Sequence, residues 1–254
     1  MLWYKSWLET RWRFLIGMAL LVCSAGGTVL TYPQVMKLMP LVPSVDVSGE
    51  LGRRIKEAID LSREYRGYIW QQCFRQNLVQ MWTVFAVLLG TGGLLSRSSG
   101  GSPLYTLSLP VSRNRVLGIR AATGLVELFA LALVPSLVIP LLSPAVSASY
   151  SVADALVHAL CLFIAGTAFF SVAFVLSTFF HDLWRPLLLA LAVAALFALY
   201  EQVFHDTAQG LFTLMTGEKY FRTGNVPWAG LIISAAASTA MIYGASLNIS
   251  HQDF

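Results

Sequence analysis

Few side chains in this sequence combine a reactive type with a spacing that supports chemistry. No histidine shares a predicted helix face with another histidine, a cysteine or an acid at a metal-binding spacing. Two of them, His181 and His205, each precede an aspartate at a predicted helix end, where solvated caps are much commoner than catalysts. The remaining two are His158 and His251. The sequence therefore predicts neither a metal site nor a catalytic histidine.

Glu127 is the acidic side chain with the strongest functional signal, because it interrupts an apolar block. It lies about eleven residues into a predicted span that begins near Val116, which places it about 16 Å deep at 1.5 Å per residue. Ionisable residues at such a depth are costly and commonly face protein or a water-filled path. Glu127 either lines a translocation path or makes a structural hydrogen bond to a neighbouring Ser, Thr or Tyr.

Other candidate motifs are weak or absent. The three cysteines, Cys23, Cys73 and Cys161, fit neither a disulfide framework nor a metal site and are expected to be apolar filler. Ser99-Gly-Gly-Ser102 is similar to a serine nucleophile motif, but it lies in a predicted loop. The sequence contains no GxxxxGK[ST] motif, so ATP binding through a P-loop is not expected in this chain.

The composition is that of an integral membrane protein. Hydrophobic residues make up 56% of the chain and charged residues only 12%, whereas soluble domains carry about 25% charged residues. The mean hydropathy is +0.66. The net charge of +4 is best explained by basic residues beside anionic lipid headgroups, and nucleic acid is not an expected partner. We expect one all-α transmembrane domain over residues 1–254.

Long apolar blocks predict six transmembrane helices, each long enough to cross a core of about 30 Å. The predicted spans are 14–31, 78–95, 116–139, 155–180, 186–204 and 228–247. Tyr32 and Pro33 are expected to end the first span, and Pro135 and Pro140 to kink or stop the third. A polar stretch between the first two spans predicts a small extracytoplasmic helical loop.

Residues 1–13 predict an amphipathic helix that lies on the membrane surface. Lys5, Glu9 and Arg13 recur every four residues and form one polar line. Tryptophan prefers the headgroup level, so three side chains are expected to anchor this helix at the interface: Trp3, Trp7 and Trp12.

Six spans place both termini on one side, and basic residues are divided almost equally between the two sides. We expect cytoplasmic termini, because the short loops on that side are basic with little acid to offset them. We accordingly expect the protein in a cell membrane, and in a bacterium this would be the inner membrane.

The loop 96–115 contains the run SPLYTLSLPVSR from 102 to 113. This run, its position after the second span and the six-span layout resemble the ABC-2 type permease family. The residues that carry the resemblance are Leu104, Tyr105, Leu107, Leu109, Pro110, Val111, Ser112 and Arg113. The residues before them, Arg97-Ser-Ser-Gly-Gly-Ser, depart from the family, whose members often have acids there.

The resemblance implies that the chain is the membrane-spanning subunit of an ABC exporter and is not itself an enzyme. A soluble ATPase subunit would bind ATP and Mg and dock on the loop through the eight residues named above. Leucine and tyrosine side chains would anchor that contact, Pro110 would stop a short helix, and Arg113 would pair with an acid. The resemblance also implies a second permease subunit, identical or different, and a lipid bilayer around both. No cofactor is implied in this chain.

Three other functions stay open. A secondary transporter would show internal repeats and buried ion sites, and only Glu127 is a deep charge. A membrane-embedded enzyme acting on lipid or peptide would need catalytic groups at a common depth, and the sequence presents none. An accessory subunit of a larger ABC assembly would share nearly all these sequence features.

Overall fold

The computed structural model describes residues 2–38, 52, 59–91, 113–180, 182–203 and 210–250. Within these ranges every regular element is helical. Five of the helices are long and apolar enough to cross a membrane. The all-α class predicted from the sequence is confirmed for the described residues, and the length and composition of these helices are compatible with a multi-pass membrane protein.

In chain order the helices are α1 (Leu2–Leu38), α2 (Tyr65–Ile69), a π-helix (Trp70–Leu78), α3 (Val79–Gly90), α4 (Arg113–Leu142), a 3-10 turn (Ser143–Val146), α5 (Val152–Phe179), α6 (Trp184–Val203), α7 (Leu211–Thr216), α8 (Glu218–Thr223) and α9 (Trp228–Ser250). Helices α1, α4, α5, α6 and α9 are the five of membrane-spanning length. In the polar stretch before α2, residues 59–63 are also helical.

The sequence predicts an interfacial helix, 1–13, that is separate from the first span, 14–31, and the structure differs. The structure has one helix of 37 residues from Leu2 to Leu38, with no break near residue 13. No glycine or proline lies between Leu2 and Leu15 to interrupt it, and Ser6 and Thr10 are buried on its packed face. At 1.5 Å per residue the helix is about 55 Å long, well beyond a hydrocarbon core of about 30 Å.

Prolines end fewer helices than the sequence predicted. Pro33 lies inside α1, and Pro135 and Pro140 lie inside α4, which continues to Leu142. The prediction that Tyr32 and Pro33 end the first helix is therefore wrong. Apolar helices tolerate proline because neighbouring helices and local hydroxyls satisfy the freed backbone groups.

The predicted second span, 78–95, corresponds to α3, whose helix ends at Gly90. With 12 residues α3 is short for a span, but α2, the π-helix and α3 follow one another without interruption from Tyr65 to Gly90. The other predicted spans match α4, α5, α6 and α9, with boundaries that differ by a few residues. Helix α4 begins at Arg113, so the last residues assigned to loop 96–115 are helical.

Contacts between helices give their relative directions. The Tyr68 hydroxyl meets the backbone oxygen of Thr28 at 3.3 Å, and Arg13 meets that of Leu88 at 2.9 Å, so α1 runs antiparallel to the helices from Tyr65 to Gly90. Helices α5 and α9 run parallel, since Ser234 contacts Ala165 and Asn248 contacts Thr178. We call the end of the bundle that holds residues 2, 90, 113, 179, 184 and 250 the terminal end, and the opposite end the distal end.

Helix α5 is the centre of the bundle. In its apolar window 61% of the residues are buried, against 22% for α6 and α9, which face outward. Gly166 of α5 lies against the indole of Trp82, where an added Cβ would be 2.2 Å from the ring. The Trp82 indole donates to the backbone oxygen of Leu128 at 3.2 Å and so joins α3 to α4.

Candidate functional site

Most of the predicted ATPase contact lies outside the described residues. These are Leu104, Tyr105, Leu107, Leu109, Pro110, Val111 and Ser112. Arg113, the eighth residue, begins α4. The two helices that flank the loop, α3 and α4, both meet it at the terminal end of the bundle.

A group of charged and polar residues lies where α1 packs against α3 and α4. We call it the terminal-end cluster, and its members are Ser6, Glu9, Thr10, Arg13, Arg120 and Glu127. The first four belong to α1 and the last two to α4. On each helix these residues recur at spacings of three, four or seven, which places them along one side of that helix.

Arg13 connects α1 to the end of α3. Its Nη1 donates to the backbone oxygen of Leu88 at 2.9 Å. Leu88 is within the last turn of α3, where carbonyl oxygens have no backbone partner inside the helix, and its oxygen also accepts from the Thr91 hydroxyl at 3.1 Å. A guanidinium at this position is a second, charged donor to that oxygen and interacts favourably with the helix dipole.

Arg120 and Glu127 connect α1 to α4. The Arg120 guanidinium lies 3.8 Å from the carboxylate of Glu9, and the Arg120 side chain is only 13% exposed. The Thr10 hydroxyl donates to Oε1 of Glu127, whose side chain is 3% exposed. One of the two interpretations of Glu127 was a structural hydrogen bond to a neighbouring Ser, Thr or Tyr, and the bond to Thr10 is of that kind. In this conformation the Glu127 side chain faces α1.

Sequence reasoning identified Glu127 but not its partners. Arg120 lies four residues inside the predicted third span. A charged side chain at that position is itself an indication that it pairs with another polar residue. Lys5, Glu9 and Arg13 form a polar line in the sequence, and this line predicts a helix on the membrane surface. In the structure Glu9 and Arg13 contact α4 and α3.

The predicted interface anchors lie at the start of α1. Trp3 and Trp12 are 55% and 65% exposed, and Arg11 lies over the Trp12 ring at 5.6 Å. Trp7 is half-buried and packs edge-on against Phe14 at 5.4 Å.

A second polar group, the distal cluster, joins α2, α5 and α8 through Arg66, Asp154 and Tyr220. Arg66 Nε lies 3.1 Å from one Asp154 oxygen, and the Tyr220 hydroxyl donates to the other at 2.8 Å. This hydrogen bond to a carboxylate raises the pKa of Tyr220. The cluster fastens the short helix α8 onto the bundle.

Buried aromatic and imidazole groups lie beneath the distal cluster. His158 is fully buried, stacks on Phe74 at 4.6 Å and donates from Nδ1 to the backbone oxygen of Thr216, 3.1 Å away. The Trp70 indole donates to the same oxygen at 3.2 Å. Nearby Tyr150 is buried, and that burial raises the pKa of its hydroxyl. These contacts hold α7 against the π-helix and α5.

Glu201 fixes the start of α7. Its carboxylate accepts from the backbone nitrogens of Phe212 and Thr213 at 2.8 and 3.1 Å, and from the Thr213 hydroxyl at 3.3 Å. The carboxylate thus satisfies backbone donors that the six-residue helix leaves without partners.

In the described residues, His, Cys, Asp and Glu form no group of three that could hold a metal ion. Comparison with known proteins adds no relationship, because no family model, no curated protein and no solved structure matches the chain.

Proposed function

We propose that this chain is the membrane-spanning subunit of an ATP-driven ABC exporter, coupled to a separate ATPase through the loop between α3 and α4. The proposal rests on the position of the two helices that flank this loop. Both flanking helices meet it at the terminal end, and α1 bonds each of them through the terminal-end cluster. A displacement of the loop would therefore act on three helices together.

The proposal includes six membrane crossings. We assign the sixth crossing to the uninterrupted helical run from Tyr65 to Gly90, because its length exceeds the roughly 20 residues that a membrane-spanning helix needs. It packs antiparallel to α1, and its buried side chains include Trp70, Phe74 and Trp82. Six crossings place both chain ends on one side of the membrane. We assign that side to the cytoplasm and the membrane to the bacterial inner membrane.

The expected partners follow from the family resemblance. A soluble subunit would hold ATP and Mg and contact the loop at Leu104, Tyr105, Leu107 and the LPVSR run that ends at Arg113. A second permease subunit, the same chain or a related one, would complete the transporter. ATP-dependent closure of the ATPase pair would favour one conformation of the membrane halves, as required of any ligand-driven transition.

Co-purification tests this proposal. The tagged chain is extracted from its native membranes in mild detergent, and its companions are identified by mass spectrometry. We expect an ATPase with the parent chain, and its loss from Leu107→Glu and Arg113→Glu. Arg97→Glu is the matched control, since it makes the same charge reversal in the same loop outside the motif. Absence of an ATPase under several gentle conditions would contradict the proposal.

A secondary transporter is the second candidate, and the buried carboxylate of Glu127 favours it. In that case the purified chain would move its cargo in sealed vesicles on an ion gradient, without any ATPase. The exporter proposal expects no such movement until the ATPase and ATP are present.

A further inference from the structure

Two oxygen atoms of the terminal-end cluster are buried without a hydrogen-bond partner. They are Oε2 of Glu127 and the hydroxyl oxygen of Ser6, on side chains that are 3% and 8% exposed. Thr10 lies one turn after Ser6 on the same side of α1, and its hydroxyl donates to the other Glu127 oxygen. We call Ser6, Thr10 and Glu127 the joint between α1 and α4.

A bare carboxylate oxygen in an apolar bundle is costly. An uncompensated buried polar group destabilises the folded chain, and an ionised one does so more strongly unless it is neutralised. A buried water needs two to four polar partners. Ser6 and Thr10 are on the side of α1 that faces Glu127, so their hydroxyls and Glu127 Oε2 are the groups that a water in the joint would bond.

The surrounding charges do not neutralise Glu127 directly. On α4, Arg120 pairs with Glu9 at 3.8 Å. On α1, Arg13 donates to the backbone oxygen of Leu88 in α3. The Trp82 indole of α3 is bonded to the Leu128 oxygen, and α5 faces this part of α4 with Phe170 against Gly124. Among the described residues no basic nitrogen pairs with Glu127.

We propose that the joint formed by Ser6, Thr10 and Glu127 binds an exchangeable proton, with one buried water between Glu127 Oε2 and the Ser6 hydroxyl. On binding, an O–H bond forms at Oε2 as the corresponding O–H bond of hydronium breaks, and release reverses this step. Proton binding removes the carboxylate charge and leaves the positive charges of Arg13 and Arg120 opposed by Glu9 alone. The strength with which α1 holds α4 therefore depends on pH.

Infrared difference spectroscopy tests this site on the full chain in lipid nanodiscs, in H₂O and D₂O. We expect the parent chain to gain a carboxylic-acid C=O band on acidification that Glu127→Gln lacks. Glu201→Gln is the matched control and keeps the band. In Ser6→Ala the band persists but shifts to higher frequency, because the acid group loses the water bridge.

Three outcomes overturn the proposal. Superimposable difference spectra of the parent chain and Glu127→Gln would show that Glu127 does not titrate. An unshifted band in Ser6→Ala would remove the water bridge, and this variant serves as the test if Glu127→Gln does not fold. A band that changes when sodium is replaced by choline would indicate a bound metal cation. The proton site does not depend on the proposed exporter function, and its test needs no ATPase. One proposal can therefore fail while the other stands.

Discussion

Arg13 is the residue through which α1 holds the end of α3. Its side chain is half-buried, and its guanidinium donates to the Leu88 carbonyl oxygen in the last turn of α3, whose other donor is the Thr91 hydroxyl. Arg11, two residues earlier, is exposed and lies over Trp12. The two arginines therefore have different roles, although they are alike in the sequence.

Arg13→Gln should destabilise the protein, and Arg11→Gln should not. Hydrogen bonds to charged groups contribute about 1.5–3 kcal/mol, so we expect a loss of that order at Arg13. Thermal unfolding in detergent measures the difference, and hydrogen exchange should be faster over Val79–Gly90 in Arg13→Gln alone. Equal melting temperatures for both variants would contradict the capping role.

Helix packing around α5 depends on close approach at Gly166. Its neighbour is the rigid indole of Trp82, which is held by its own hydrogen bond to Leu128 and cannot rotate away without losing it. Gly244 in α9 is the opposite case, because nothing lies within 4 Å of the position that an added Cβ would occupy.

Gly166→Ala should therefore destabilise the bundle, while Gly244→Ala should have little effect. Overpacking a well-packed core costs about 1–3 kcal/mol. The check is the melting temperature of each variant together with Trp fluorescence, which should report displacement of Trp82 in Gly166→Ala. A Gly166→Ala protein as stable as Gly244→Ala would show that α3 and α5 are not packed as described.

Glu201 links α6 to α7, and its removal should release α7 locally. In Glu201→Gln the side chain keeps one acceptor oxygen but loses its charge and one of the acceptors used by Phe212 and Thr213. We expect faster hydrogen exchange over Leu211–Thr216 with little change in α9. Glu218→Gln, which alters an exposed ion pair with Arg222, is the control. Unchanged exchange in Glu201→Gln would refute this role.

The sequence predicted α4, α5, α6 and α9 well, because a long apolar block with few charges has few alternatives to a helix in a membrane. It failed at Pro33, where packing sustains a helix that local propensity would end. It could not predict the π-helix from Trp70 to Leu78, which no local pattern marks. Glu127 stood out as a deep charge, but Thr10 is 117 residues away in sequence, and only the packing of α1 on α4 brings them together.

At the scale of the whole molecule, the number of crossings decides where the termini lie. Five crossings would put the two chain ends on opposite sides of the membrane, and six would put them on the same side. The alternating directions of the helices favour six, with Lys219 of α8 on the side opposite both termini.

Epitope tags at the two termini and at Lys219 test this arrangement. In sealed right-side-out vesicles we expect only the tag at Lys219 to be reached by antibody. Both terminal tags should become accessible together in inverted vesicles. Accessibility of one terminus from each side would show five crossings and remove the run from Tyr65 to Gly90 from the spans.

The proposed coupling role requires contact between an ATPase and the loop that joins α3 to α4, and photo-crosslinking in living cells detects such a contact. A photoreactive amino acid is placed at Leu107, and in a matched control at Lys219 at the distal end. We expect an adduct with a soluble ATPase subunit from position 107 and none from position 219. Failure of position 107 to capture an ATPase, in cells where the chain is inserted and stable, would contradict this role.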